Sequence, residues 1–92
     1  MMDASAPVDA TFPLEVRLFA LIREKVGREM IALDVPAGTT VKGLAALLRD
    51  AEPAVAPYLE ASRVAVNLAF APRGQVLAPG DAVALIPPVG GG

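Results

Sequence analysis

From Leu14 the chain alternates. Leu14, Val16, Leu18 and Ala20 fall on one side and Glu15, Arg17 and Phe19 on the other, a period of two that predicts a half-buried strand. Phe19 thereby lands on the outer face, where a large aromatic is a candidate partner contact. Residues 21–26 predict a short helical turn, ended by Gly27 in the position where helices favour a left-handed residue. After the short Gly27-Arg28 connection, a second strand is expected over residues 29–35 with Ile31, Leu33 and Val35 inward, stopped by Pro36-Ala37-Gly38. Thr39 or Thr40 can cap the main helix, expected over residues 41–52 up to Pro53, with Val41, Leu44, Leu47, Leu48 and Ala51 as its apolar stripe. Gly43 inside that helix costs about 1 kcal/mol relative to alanine and suggests close packing there.

Residues 54–60 predict a further helical turn with Tyr58 and Leu59 beneath it. A strand over residues 63–70 follows, with Val64, Val66 and Leu68 set against Ala65, Asn67 and Ala69. Pro72-Arg73-Gly74-Gln75 reads as a turn, Val76-Leu77 as a short edge piece, and Ala78-Pro79-Gly80-Asp81 as a type II turn. In the last strand Val83 and Leu85 face the core, while Ala84 and Ile86 point out. One helix laid across one face of a mixed sheet of four to five strands is an α+β, β-grasp (ubiquitin-like) arrangement. The chain divides into an N-terminal arm at residues 1–12, a β-grasp domain at residues 13–86 and an extended tail at residues 87–92.

Composition narrows the chemistry. At 92 residues the chain is one small domain, and 54% hydrophobic against 20% charged residues excludes a disordered one. With 4% aromatics the core must be aliphatic. Cysteine and histidine are both absent, which removes a thiolate nucleophile, the commonest metal ligand and the commonest general base. A partner is therefore expected to supply the catalyst. The net charge of −2 comes from Asp3 and Asp9 in the arm, so residues 13–92 balance, which argues against electrostatic nucleic-acid binding. No apolar run approaches the roughly 20 residues that span a bilayer, so no membrane partner and a cytoplasmic location are expected.

The sharpest feature is the tail, Pro87-Pro88-Val89-Gly90-Gly91-Gly92. Two prolines fix φ and remove two N–H donors, so the last strand should end there and continue as a stiff extended arm. Glycines without Cβ atoms fit a channel too narrow for any other residue. The α-carboxylate of Gly92 is the candidate reactive group.

Four motifs carry a resemblance to a known family: Val16-Arg17-Leu18-Phe19-Ala20 with Arg23-Glu24 and Gly27; Val66-Asn67; Pro79-Gly80-Asp81 with Val83; and Ile86-Pro87-Pro88-Val89 closing on Gly91-Gly92. Over residues 14–92 the chain resembles the ubiquitin-like sulfur carriers that form the small subunit of molybdopterin synthase. Carriers serving thiamine synthesis share the double glycine but generally lack Pro-Pro-Val. The chain departs from the family in reading Pro79-Gly80-Asp81-Ala82 where Asp-Gly-Asp-Glu is frequent, and in a third glycine at Gly90.

The resemblance implies that the chain itself binds no cofactor. An adenylating enzyme would use ATP and magnesium to activate the Gly92 carboxylate, a sulfur donor protein would supply the sulfur, and the resulting thiocarboxylate would serve the large synthase subunit in a heterotetramer of two small and two large subunits. Gly90, Gly91 and Gly92 would thread the partner's channel behind Val89, Pro88 and Pro87, and Phe19, Phe70 and Ile86 would form the apolar interface. Phe70 shares the parity of the expected core residues, so its inclusion follows from the resemblance. The rival readings are a sulfur carrier for another pathway (thiamine, tungsten cofactor or cysteine), a ubiquitin-type protein modifier, and a non-catalytic β-grasp interaction module.

Overall fold

A computed structural model describes residues 10–88. Strand β1 (Thr11–Leu18) leads into helix α1 (Ala20–Val26), strand β2 (Met30–Pro36) and the main helix α2 (Val41–Ala51). A 3₁₀ turn (Pro53–Val55), helix α3 (Ala56–Leu59) and strands β3 (Arg63–Val66), β4 (Ala69–Phe70) and β5 (Val83–Ile86) follow. The five strands form one sheet in the order β2-β1-β5-β3-β4. Its central pair, β1 and β5, is parallel, and the other pairs are antiparallel. This is the β-grasp arrangement.

The core forms because one face of each central strand meets α2. Phe12, Leu14, Val16 and Leu18 of β1 are buried together with Val83 and Leu85 of β5, Ile31 and Val35 of β2, and Leu44 and Leu48 of α2. Each such apolar side chain contributes about 1.5–3 kcal/mol by leaving water. No polar or charged residue is buried among the described residues, so the core carries no desolvation penalty of that kind. Helix α2 starts where Thr40 Oγ1 accepts from the Gly43 amide at 3.1 Å, one of the two expected caps. Its next two free amides are taken by the loop opposite: Val41 N donates to Gln75 O at 2.9 Å and Lys42 N to Arg73 O at 3.0 Å. Helix α1 ends at Gly27 with φ 81°, as expected. None of the helices of the described residues is long and apolar enough to cross a membrane.

Several expectations are corrected. β1 begins at Thr11 and Phe12 is a core residue, so an arm running to residue 12 is too long; the alternation continues upstream through Pro13, which sits on the exposed side. Ala20 is exposed with φ 50°, because the chain turns into α1 after Leu18. Ala51 is exposed at the end of α2, and the nearby core position is Val55, fully buried in the 3₁₀ turn. Gly43 is not held by close packing, since a Cβ there would meet Thr39 and Thr40 at 3.5 Å, an ordinary contact. The largest correction concerns residues 63–70, which form a hairpin instead of one strand. Asn67 and Leu68 have φ 53° and 73°, the requirement of a two-residue type I′ turn. Leu68, expected in the core, is 100% exposed at its tip.

Candidate functional site

The hairpin resets the parity of everything after it. Phe70 pairs with Ala65, and Ala65 with Ala84, which in turn pairs with Arg17, so these four side chains share the outer face of the sheet. Phe70 therefore belongs with Phe19 and Ile86 and not with the core. The three residues assigned to an interface line one groove of about 320 Å³, together with Leu68 and the small floor residues Ala65 and Ala84. Alanine at the floor leaves a depression and large side chains make its rim. Phe19 is 43% and Phe70 52% exposed. An apolar concavity with aromatic edges and few charges has the composition of the centre of a protein interface.

Each rim residue is set by local structure. Phe19 follows the last residue of β1 in extended conformation (φ −125°, ψ 155°), and its carbonyl accepts from the Ile22 and Arg23 amides of the first turn of α1. Phe70 is held by Arg63, whose guanidinium carbon lies 3.7 Å from the ring centroid, so the outer edge of the groove is cationic. Ile86 ends β5 opposite Arg63, and the chain leaves the sheet there through Pro87, half-buried, and Pro88, exposed. The tail thus departs from the rim of the groove. Val89, Gly90, Gly91 and Gly92 lie outside the described residues.

One element of the site lay hidden in the sequence. Asn67 donates through Nδ2 to Asp81 Oδ1 at 3.0 Å, and its Oδ1 accepts from the Ala82 amide at 2.9 Å. Its own amide donates to Ala82 O at 2.7 Å, while Asp81 Oδ2 accepts from the Ala78 amide at 2.8 Å. Two motifs noted separately, Val66-Asn67 and Pro79-Gly80-Asp81, are therefore halves of one clamp that ties the hairpin tip to the turn before β5. Asparagine's tolerance of positive φ was the available signal.

A larger concavity of about 510 Å³ lies between α2 and β3, lined by Lys42, Arg49, Arg63 and Arg73 with Glu60 among others. No residue of β5 lines it, although Arg63, the cross-strand partner of Ile86, does. Among the described residues no group of three or more acidic side chains is placed to hold a metal ion.

The model of the ThiS family matches residues 16–92. The chain belongs to the ThiS family. The chain is similar to the molybdopterin synthase sulfur carrier subunit of Dictyostelium discoideum, 35% identical over 81 residues that cover 85% of this chain and 94% of that protein. Among solved structures, SAMP1 of Haloferax volcanii is 32% identical with a TM-score of 0.77, covering 87% of this chain and 99% of its own. A chain of the complex of subunits 1 and 2 of the molybdopterin-converting factor from Helicobacter pylori fits with a TM-score of 0.65 at 27% identity, covering 88% of this chain and 100% of that chain. The ThiS match spans the groove residues and the tail alike.

Proposed function

We propose that this chain is the sulfur carrier subunit of a molybdopterin synthase. The observation that carries the reading is the position of the tail: a member of the ThiS family, similar to a molybdopterin synthase sulfur carrier subunit, sends Pro87 and Pro88 out from the rim of an apolar groove made by Phe19, Phe70 and Ile86. The groove docks the body of the domain while the tail reaches the chemistry. The similarity to a chain of the complex of subunits 1 and 2 from Helicobacter pylori supports a large-subunit partner.

The chemistry follows from the weakness of a carboxylate as an electrophile. In an adenylating partner, with magnesium, a Gly92 carboxylate oxygen attacks the α-phosphate of ATP and expels pyrophosphate. Hydrosulfide supplied by a donor protein, sulfur already at the oxidation level of the product, attacks the acyl carbon of the resulting adenylate, AMP leaves and the S–H proton is lost, so the terminus becomes a thiocarboxylate. The carrier then docks on the large subunit, Gly90–Gly92 enter its active site, and the sulfur passes to a pterin precursor. Two carriers in turn supply the two sulfurs of the dithiolene, in line with a heterotetramer of two small and two large subunits. The chain contributes no acid, base or metal to these steps. Its part is a sterically minimal tail, prolines that limit the entropy lost on insertion, and the docking groove. The absence of cysteine also leaves no internal thiol to intercept the activated terminus.

Reconstitution with a large synthase subunit tests this reading: product must form with the thiocarboxylated chain and not with a chain lacking Gly92. Equal product from both would contradict it. A second reading, a protein modifier joined through Gly92 to lysine amines, is favoured by the similarity to SAMP1, a small archaeal modifier protein. Conjugates of higher mass in a lysate, lost when Gly92 is deleted, would establish it.

A further inference from the structure

The non-glycine residues with positive φ among the described residues are Ala20 (50°), Asn67 (53°) and Leu68 (73°). Of the three, Leu68 lines the groove, and Ala20 and Asn67 are each the chain neighbour of a lining residue, Phe19 and Leu68. Backbone of this kind persists only where its surroundings over-determine it, and it gathers at binding sites. Leu68 is the most pronounced case. A two-residue hairpin turn is ordinarily closed by Asn-Gly, because its second position is easy for glycine and poor for a branched side chain. Here that position holds a leucine that is 100% exposed, so its side chain gains no burial within the molecule.

What holds the strained tip is the clamp. Asn67 exchanges hydrogen bonds with Asp81 and Ala82, residues 14 and 15 positions further along the chain. These bonds fix the turn whether or not leucine suits it. Leu68 nonetheless stands among the residues that line the groove, with Phe70 and Ala82 to Ala84, so its exposed apolar surface adjoins that of the candidate interface.

We propose that Leu68 is a binding anchor, a projecting knob that enters an apolar socket on the large synthase subunit, and that Asn67 and Asp81 are the positioning residues that present it. The inference rests on the reading of the chain as the small subunit of that synthase. It adds to the concave groove a convex element of opposite shape at the groove's rim. A partner must then receive the knob as well as fill the groove, which fixes its orientation and restricts which surfaces can bind.

Leu68→Asn and Leu68→Gly place at the tip residues that accept positive φ. The full-length variants are titrated calorimetrically with the purified large synthase subunit and melted in parallel, with Phe19→Ala as the groove control. Both Leu68 variants are expected to melt at or above the wild-type temperature and to bind at least tenfold more weakly. Asp81→Ala should weaken the wild type but add little to Leu68→Asn, because the anchor it positions is already gone. If the Leu68 variants bind like wild type while Phe19→Ala does not, the anchor is overturned and the carrier reading stands. A fall in melting temperature that accounts for the lost affinity overturns it too, by giving Leu68 a structural role. A wild-type chain with no affinity for the large subunit overturns both.

Discussion

The two faces of the same five-stranded sheet obey different rules. On the inner face, Leu14, Val16, Leu18, Val83 and Leu85 are each at most 2% exposed, and every one follows from simple alternation. On the outer face, the strands present Ala65 and Ala84 where larger residues would cover the sheet, and ring them with Phe19, Phe70, Leu68 and Ile86. Folding accounts fully for the first face and leaves the second unexplained. Large apolar side chains kept at a rim in water, around a floor of alanine, are what the proposed docking to a partner would cover.

The two turns that flank the outer face repeat the contrast. Pro79-Gly80 has proline and then glycine at φ 88°, the residues that a type II turn demands, and its hydrogen bond from Asp81 N to Ala78 O measures 3.1 Å. Asn67-Leu68 places leucine where glycine belongs. Where local preference and local structure agree, the residue serves the fold. Where they disagree and distant hydrogen bonds enforce the structure, as at Leu68, the fold alone does not account for the residue, which is the ground for the anchor proposed above.

Substitutions on the two faces should separate stability from binding. Leu48→Ala, behind the inner face, is expected to cost about 2–5 kcal/mol in urea unfolding, which would leave so small a domain marginal. Phe19→Ala, on the outer face, is expected to weaken large-subunit binding by about 1–3 kcal/mol while moving the unfolding free energy by no more than about 0.5 kcal/mol. A loss of stability equal to the loss of binding would erase the distinction between the faces. Gly80→Ala is expected to destabilise the chain by about 1–2 kcal/mol, because alanine is forced into the left-handed region, and Leu68→Gly should show no such loss. The same melting experiment thus reads opposite behaviour from the two turns. The smallest effect is expected at Arg28→Ala, which removes the 2.9 Å pair with Glu52. With its side chain 53% exposed, Arg28 should contribute well under about 1 kcal/mol.

What was legible in the sequence tracks this division. β1, β2, α2 and β5 were readable because each buries one face and periodicity reports burial. Thr40, Gly27 and Gly80 were readable because caps and turns have residue preferences. The hairpin was not, because Leu68 and Phe70 continue the alternation of β3 in hydrophobicity while the backbone has already reversed. No local pattern shows that an exposed leucine is exposed. The clamp was invisible for a different reason: Asn67 and Asp81 meet only when β3 and β5 pair. Phe19 and Ile86 declared themselves by parity, whereas Phe70 joined them through resemblance, and the pairing with Ala65 supplies the reason.

The central claim, that Gly92 carries sulfur, is tested most directly by intact mass. The chain is incubated with ATP, magnesium, a molybdenum-pathway adenylating enzyme and a sulfur source, beside a chain lacking Gly92. The account predicts a gain equal to replacing one oxygen by sulfur, in the full-length chain alone. An unchanged mass, with the adenylating enzyme active on another carrier, would contradict it.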